Sequence, residues 1–458
     1  MGFRKEHDYL GDVRVPDDAY WGAQTQRAVD NFPISGLKLD KDYIKSIVLI
    51  KKAAVISNMK IGLIEKNKAN AIKKAADEIL SGRLADQFVV DVFQAGAGTS
   101  TNMNVNEVIT NRAIEILKGK KGDYSIIHPN DDVNMGQSTN DVIPTAIKLT
   151  SMTLSKKLIE SLDTLIKILR IKAKEFNPVI KSGRTHLMDA APIRLGAEFK
   201  AWADMIELDV RRIKEAAEKL RYINIGATAV GTGVNANPKY VKFTIDTLSL
   251  YSSIKLKQAH DLPEATESMT DIVELSSSLK SLSVDLIKIS NDIRLMNSGP
   301  VTGLEEIILP AVQPGSSIMP GKVNPSVPEM VDMVCFQVIG NDEAITMAAQ
   351  AGQFELNVMM PLIAYDIIYS LRILTNAVTV FAEKAIMKIK ANSVRIHELV
   401  LKTPGVALAL NPYIGYEKTA EVVKKAINEG KSIAQAAKDM KVLPPKKIDE
   451  ILDLYKLA

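Results

Sequence analysis

Four stretches of the chain contain neither glycine nor proline, and each is much longer than an average globular helix. They cover residues 146–177, 197–225, 266–298 and 362–403. The first carries leucines at the three-to-four spacing of one helix face, namely Leu154, Leu158, Leu162, Leu165 and Leu169. Because long helices with an apolar stripe must pack side by side, the middle of the chain is predicted to be a helical bundle.

Composition supports an all-α fold with a large core. Of the 458 residues 46% are hydrophobic, and strand patterns are sparse, with one small hairpin expected near residues 13–21. Glycine-rich turns separate the long helices. We expect an N-terminal helical domain over residues 1–136, a central long-helix bundle over 137–390 and a small C-terminal helical domain over 391–458.

The charge pattern argues against several classes of partner. Lys and Arg number 58 against 54 Asp and Glu, a net charge of +4 without blocks of like charge, so neither a nucleic-acid nor a membrane partner is indicated. The start of the chain is charged where a signal peptide is apolar. With one cysteine, Cys335, and five scattered histidines, the sequence predicts a cytoplasmic protein without a bound metal or other cofactor.

Residues 315–325 are the segment richest in chemistry, since they combine flexible backbone, two hydroxyls, a cation and an amide. A phosphate-binding P-loop needs four residues between its glycines and a hydroxyl after its lysine; here five intervene and Val323 follows Lys322. A carboxylate substrate fits better, with Lys322 as point charge, Asn324 as donor and glycine N–H groups around the anion. The plain alternative is a surface loop with incidental serines.

The same segment resembles the aspartase/fumarase superfamily, because it matches every fixed position of the signature G-S-S-x-M-P-x-K-x-N-P. Residues 96–104 and 137–141 are similar to the first two conserved blocks of that family, and the resemblance extends over nearly the whole chain. It implies an all-α homotetramer whose central helices form one twenty-helix core. It also implies a small dicarboxylate substrate and active sites that each draw on three subunits.

The resemblance assigns roles to individual residues. It implies that Ser316 is the catalytic base, on a mobile loop that closes over the substrate. Three side chains are implied to bind the carboxylate beside the leaving group, namely Thr185, Lys322 and Asn324. Ser138 and Thr139 are implied to bind the other carboxylate. The residues implied around the leaving group are Thr99, Asn140 and His186, and Glu329 is the implied acidic partner of that histidine.

A second ligand site is a further expectation from the resemblance. His128, Asn130 and Asp131 match part of a second dicarboxylate site of fumarases. Ser125 stands where that site has a basic residue.

Two activities of the superfamily use the same base and carboxylate contacts, and the sequence favours elimination of ammonia from L-aspartate over dehydration of L-malate. Four segments resemble aspartases more than fumarases, namely residues 96–100, 138–141, 224–231 and 326–329. Two others, residues 21–27 and 128–131, look like fumarase. A third hypothesis is a non-catalytic structural member, like the lens crystallins related to argininosuccinate lyase. The intact set of site residues argues against it.

Overall fold

The computed structural model describes residues 2–458 and is predominantly helical, which confirms the predicted fold class. The longer helices are α1 (Ala23–Asn31), α2 (Lys41–Lys60), α3 (Lys66–Leu80), α4 (Thr99–Ile116), α5 (Thr139–Glu175), α6 (Leu195–Lys219) and α7 (Pro238–Ser252). They continue with α8 (Leu262–Glu267), α9 (Thr270–Met296), α10 (Ser326–Gln350), α11 (Met360–Val380) and α12 (Ser393–Lys402). The chain ends with α13 (Asn411–Ile414), α14 (Tyr416–Glu429), α15 (Ile433–Asp439), α16 (Pro445–Ile451) and α17 (Leu454–Leu457).

Eight short strands form four two-stranded sheets within residues 2–458. The strands are β1 (Phe3–Asp8), β2 (Gly11–Pro16), β3 (Ile180–Thr185), β4 (Met188–Arg194), β5 (Tyr222–Ile223), β6 (Lys257–Gln258), β7 (Ile307–Ile308) and β8 (Lys390–Ala391). Of these pairs, β5 with β6 is parallel and the others are antiparallel. The first hairpin lies earlier than the predicted residues 13–21, because the chain turns just before Gly11, whose φ of 118° suits glycine.

The chain forms two compact units, each assembled from three segments. The first contains the residues up to Ile159 together with Arg211–Ser281 and Phe336–Leu374, and the second contains Glu160–Val210, Leu282–Cys335 and Thr375–Ala458. Both units are thus discontinuous in sequence. The division into residues 1–136, 137–390 and 391–458 stays a prediction.

Burial of one apolar stripe accounts for the length of α5. All five leucines of the predicted stripe are at most 3% exposed. The helix runs for 37 residues, about 55 Å, and covers most of the stretch that the sequence marks as free of breakers. Helices α6 and α9 likewise cover most of residues 197–225 and 266–298, although the first stretch also contains β5 and the second the end of α8. Within residues 2–458 no helix has the length and apolar character needed to cross a membrane.

The fourth breaker-free stretch, residues 362–403, is not one helix, so this prediction is wrong. Helix α11 ends at Val380 and is followed by a π-helical turn (Phe381–Ala385) and a 3-10 turn (Ile386–Lys388). The chain then pairs as β8 with β7, and the Asn392 side chain accepts a hydrogen bond from Arg395 N to begin α12. Strand pairing between distant segments outweighs local helix propensity here.

Gly196 allows α6 to begin directly against the end of α5. Its N–H donates to Phe176 O at 3.2 Å, and a Cβ on Gly196 would lie 2.2 Å from Ala173 O and 2.7 Å from Asn177 N. Both neighbouring atoms belong to the backbone, which cannot swing aside as a side chain can. The junction between the two helices therefore requires glycine.

Replacing Gly196 tests this close approach. We expect Gly196→Ala to lower the free energy of unfolding by about 1–3 kcal/mol, because the added methyl group overlaps backbone atoms. In an unobstructed helix the same change raises stability by about 0.4–1 kcal/mol. Urea unfolding of Ala197→Gly, at the exposed next position, provides the control, with an expected loss of about 0.5–1 kcal/mol from helix propensity alone. A Gly196→Ala protein as stable as the wild type would contradict the packing described.

Candidate active site

Residues 96–99, which belong to the first segment that resembles the family, form a tight turn at the start of α4. Ala97 and Gly98 both have left-handed backbone, with φ of 58° and 82°, and Ala97 N donates to Val358 O at 2.8 Å. The turn makes Thr99 the first residue of α4 and leaves its side chain exposed. The Thr99 hydroxyl is therefore presented at a helix N-terminus, where unpaired N–H groups attract polar and anionic ligands.

Helix α5 begins with a reciprocal cap. Asp141 Oδ1 accepts from Ser138 N at 3.0 Å, while Ser138 Oγ accepts from Asn140 N at 3.2 Å, an arrangement of the capping-box type. The other oxygen of Asp141 accepts from the N–H groups of Gly226 and Thr228, both at 3.2 Å. One buried carboxylate thus ties the first turn of α5 to the loop that holds residues 226–228.

The first turns of α4 and α5 are hydrogen-bonded to each other. Asn102 Nδ2 in α4 donates to Thr139 Oγ1, the first residue of α5, at 3.1 Å. The same amide donates to Asn134 Oδ1, which also accepts from the buried Lys51 Nζ at 2.7 Å. Two helix N-termini therefore lie together with hydroxyls on their first turns, which is a favourable place for a carboxylate.

Opposite charges are buried beneath these helix ends. Lys51 is fully buried and Asp141 is 1% exposed. Burial raises the pKa of the Asp141 carboxyl to about 7, and its backbone donors only partly oppose that effect. Burial lowers the pKa of Lys51, with the charge of Asp141 acting in the opposite direction. The two helix ends are thus held by a polar network that is largely withdrawn from water.

Thr185 and His186 lie at the tip of the β3–β4 hairpin. The two loop residues, His186 and Leu187, have φ of 56° and 60°, the left-handed pair typical of a type I′ turn. The side chains from Thr185 to Asp189 are exposed. The turn therefore projects a hydroxyl and an imidazole from adjacent positions.

Residues 315–324 form a closed loop. Gly315 N donates to Lys322 O at 2.8 Å, and Asn324 Nδ2 donates to Gly315 O at 2.7 Å. A Cβ on Gly315 would lie 2.6 Å from Lys322 O, so the two ends of the loop can approach only at glycine. Ser316 Oγ accepts from the backbone N–H groups of Ile318 and Met319, at 3.2 and 2.9 Å. The hydroxyl oxygen thus faces two amide donors of its own loop.

Lys322 is exposed and borders a cavity of about 630 Å³, which Asn324 and Arg294 also line. Among residues 2–458 no side chain forms an ion pair with the Lys322 ammonium group. Arg294, by contrast, donates to Asp332 at 2.8 Å. The cation without an acidic partner in this cavity is therefore the one that the sequence predicted to bind a carboxylate.

Glu329 lies in the first turn of α10 and is partly buried. Within one subunit, over the part of the chain that is described, no hydrogen bond or ion pair joins its carboxylate to His186. The expected pairing of these two residues stays a prediction.

The candidate second site is preorganised by its histidine. His128 Nδ1 accepts from the N–H groups of Asn130 and Asp131, at 3.3 and 3.2 Å. Asp132 accepts from His128 N and forms an ion pair with Lys68. The Asn130 and Asp131 side chains are exposed.

The two compact units divide the predicted site residues between them. The first unit holds Thr99, His128, Asn130, Asp131, Ser138, Thr139 and Asn140. The second holds Thr185, His186, Ser316, Lys322, Asn324 and Glu329.

Several supporting residues escaped the sequence analysis, although two left a signal. Asp141 follows Ser138 by three positions, which is the spacing of a capping box. Lys51 is a charged residue among apolar ones in α2. Asn102 and Asn134 gave no signal, because only the folded chain brings them together.

Comparison of the sequence with known protein families shows which family the chain belongs to. A family model described as Lyase matches residues 11–340, and one described as Fumarase C C-terminus matches residues 407–458. The chain belongs to this lyase family.

Individual relatives cover essentially the whole chain. An aspartate ammonia-lyase of a Bacillus species is 48% identical, with 99% of this chain and 97% of the relative covered. A class II fumarate hydratase of Xylella fastidiosa is 44% identical, with coverage of 98% and 94%. The crystal structure of a fumarate lyase:delta crystallin from Brucella melitensis superposes with a TM-score of 0.96 at 46% identity, and both chains are covered completely.

Proposed function

We propose that this chain is a carbon–nitrogen lyase that eliminates ammonia from L-aspartate to give fumarate, reversibly. The observation that carries the proposal is the loop of residues 315–324. It presents one hydroxyl against two backbone N–H groups, beside a lysine whose ammonium group has no ion-pair partner within residues 2–458. Relatives named aspartate ammonia-lyase at 47–48% identity support the choice of substrate.

Ser316 acts as the base in this proposal. A serine hydroxyl is too weakly acidic to lose its proton in water, but N–H donors favour the ionised form of an oxygen acid. The N–H groups of Ile318 and Met319 already donate to Ser316 Oγ. They would stabilise the Ser316 alkoxide once the loop has moved over the substrate and excluded water. The Ser316 alkoxide then takes the proton from the β-carbon of the substrate and becomes a hydroxyl, which returns the proton to solvent when the loop reopens and the products leave.

The electrons released from the C–H bond pass into the adjacent carboxylate and form an enediolate. Preorganised donors must stabilise this added charge, and the first turns of α4 and α5 offer them through Ser138, Thr139 and two helix N-termini. As the enediolate collapses, the double bond forms, the C–N bond breaks and ammonia leaves. The donors gain strength as the charge develops, so they lower the barrier and not only the dissociation constant.

The other end of the substrate is held by Lys322, Asn324 and Thr185 in this scheme. The ammonium group of Lys322 neutralises the second carboxylate, and the amide and hydroxyl orient it. Thr99, Asn140 and His186 surround the departing ammonia, with Glu329 of another subunit fixing the orientation of the imidazole. Asn140 Nδ2 already donates to Ala229 O, so its carbonyl oxygen is the atom that faces an amine donor.

Dehydration of L-malate is the second candidate activity. It is favoured by the 44% identity to a class II fumarate hydratase and by residues 128–131, which carry the candidate second dicarboxylate site. A hydroxyl and an ammonium group have nearly the same size, so the protein must distinguish the two substrates by the positive charge and the hydrogen bonds of the ammonium group.

An absorbance assay separates the candidates. Fumarate has a conjugated double bond that absorbs in the ultraviolet, so its formation from L-aspartate or from L-malate can be followed directly. We expect fumarate from L-aspartate, with turnover reduced by at least about a thousandfold in Ser316→Ala, because the variant lacks the base. The Ser317→Ala protein, altered at the exposed neighbouring hydroxyl, is the control and should keep most of its activity. Fumarate from L-malate alone would select the second candidate, and near-normal turnover in folded Ser316→Ala would exclude Ser316 as the base.

A homotetramer is the second part of the proposal. Helix α10 buries Val331, Cys335 and Val338 on one face. On another face Met333 and Phe336 are 63% and 59% exposed, one helical turn apart. A long helix with apolar residues on two faces requires a second packing partner, because soluble monomers rarely expose contiguous apolar surface.

Mixed tetramers test whether active sites are shared between subunits. Ser316→Ala and Thr99→Ala remove residues that lie in different compact units, and each homotetramer should be nearly inactive. After reversible dissociation and mixing, part of the activity should return, because some sites then receive both wild-type residues. Sedimentation must verify mixed tetramers, since verified mixtures without activity would place both residues of a site on one subunit. A stable, fully active monomer would contradict the tetramer.

A further inference from the structure

A cluster of four charged side chains, two buried and two partly exposed, lies at the base of the β3–β4 hairpin. Lys181 Nζ lies 3.0 Å from both Glu198 Oε1 and Glu306 Oε2, and Arg184 NH1 donates to Glu306 Oε1 at 2.8 Å. Glu306 is fully buried and the Lys181 side chain is 4% exposed. The cluster contains two cations and two carboxylates, so removing any single one of them leaves an unbalanced charge.

Glu306 is held firmly by its backbone. Its N–H donates to Met296 O at 2.8 Å, and its carbonyl oxygen accepts from Asn392 N at 2.9 Å, at the edge of the β7–β8 pair. The backbone position from which the Glu306 side chain extends is therefore fixed. A buried carboxylate with a fixed backbone can hold the position of a cation that approaches it, since the charged hydrogen bond is short and directional.

The strands of the hairpin that Glu306 contacts pack against α12 and against residues 404–410, but the tip of the hairpin is exposed. Ser182 Oγ donates to Thr403 Oγ1 at 3.1 Å near the base, but the side chains from Thr185 onwards around the turn are exposed. The strand register also shifts between Ser182 and Arg184, which is the kind of irregularity that redirects a side chain. Arg184 is thus the last anchored residue before the tip, and Thr185 follows it directly.

Neither stability nor ligand binding accounts well for the cluster. Replacing a buried ion pair by apolar residues is often neutral or stabilising, so stability alone is a poor reason for burying the Lys181–Glu306 pair. The cavity of about 390 Å³ beside the cluster is lined by Lys181, Arg184 and Glu198, but their charges are already paired with one another and with Glu306. The geometry therefore favours a role in holding the hairpin.

We infer that Glu306 is a positioning residue which, through Arg184, sets the place of Thr185 and His186 at the hairpin tip. It touches no substrate. The assignment of Thr185 and His186 to the substrate rests on the proposed function, whereas the mechanical link between Glu306 and the hairpin does not. Because Glu306 lies nine residues before Gly315, the same buried residue begins the segment that leads to the Ser316 loop.

Kinetics of four variants and one control variant test the functional part. We expect Glu306→Gln and Arg184→Met each to lower kcat/KM by at least about tenfold, with a rise in KM because Thr185 is displaced. The double variant should be no worse than the poorer single variant, since both changes break one link. Arg184→Lys should recover part of the loss, because a single nitrogen of Arg184 contacts the carboxylate. Asp439→Asn, which removes a carboxylate paired with Lys431 near the surface, is the control and should leave kcat/KM unchanged.

Hydrogen–deuterium exchange tests the mechanical part without reference to any substrate. Peptides covering residues 180–194 should exchange faster in Glu306→Gln and in Arg184→Met than in the wild type, while the control shows wild-type exchange there. A purely stabilising role would lower the melting temperature but leave kcat/KM of the folded protein intact. Wild-type kcat/KM in folded Glu306→Gln, additive losses in the double variant, or unchanged exchange in the hairpin would each overturn the inference. If the wild-type protein acted on neither L-aspartate nor L-malate, the proposed function would fail, and the exchange result would still decide whether Glu306 holds the hairpin.

Discussion

The positive ends of two helices, held side by side by buried polar contacts, are the constraint on which the candidate site depends. Helices α4 and α5 each direct the positive end of the helix dipole to this place, and the Asn102–Thr139 hydrogen bond keeps their first turns together. Buried leucines along α5 fix the course of the helix, so that the position of its first turn follows from the packing of its whole length. In the proposed mechanism, a carboxylate that gains charge during the reaction is stabilised here by donors that need no rearrangement.

The second half of the proposed chemistry depends on backbone that only glycine and tight turns permit. Gly315 lets the loop close on itself, and the closed loop presents two N–H groups to Ser316. The hairpin tip presents Thr185 and His186 through two residues in left-handed conformation. In the proposed mechanism these elements close over the substrate, and we infer that the buried Glu306 holds the hairpin in place.

The sequence predicts those features that are local. The course of α5 follows from leucine spacing, and the loop of residues 315–325 is recognisable because its chemistry lies in eleven consecutive residues. The break inside residues 362–403 was missed because it results from pairing of β8 with β7, more than 80 residues away along the chain. Asn102, Asn134 and Arg184 were missed for the same reason: their partners lie at distant positions, and only the fold shows what they contact.

Incubation of the enzyme with fumarate and ammonium in heavy water tests the central claim most directly. If Ser316 delivers one deuteron to one carbon of the fumarate double bond while ammonia adds to the other carbon, proton NMR will show L-aspartate with a single deuterium at its β-carbon. The Ser316→Ala variant should form none at a measurable rate. Formation of L-malate without L-aspartate, or L-aspartate formed equally well by Ser316→Ala, would contradict the account.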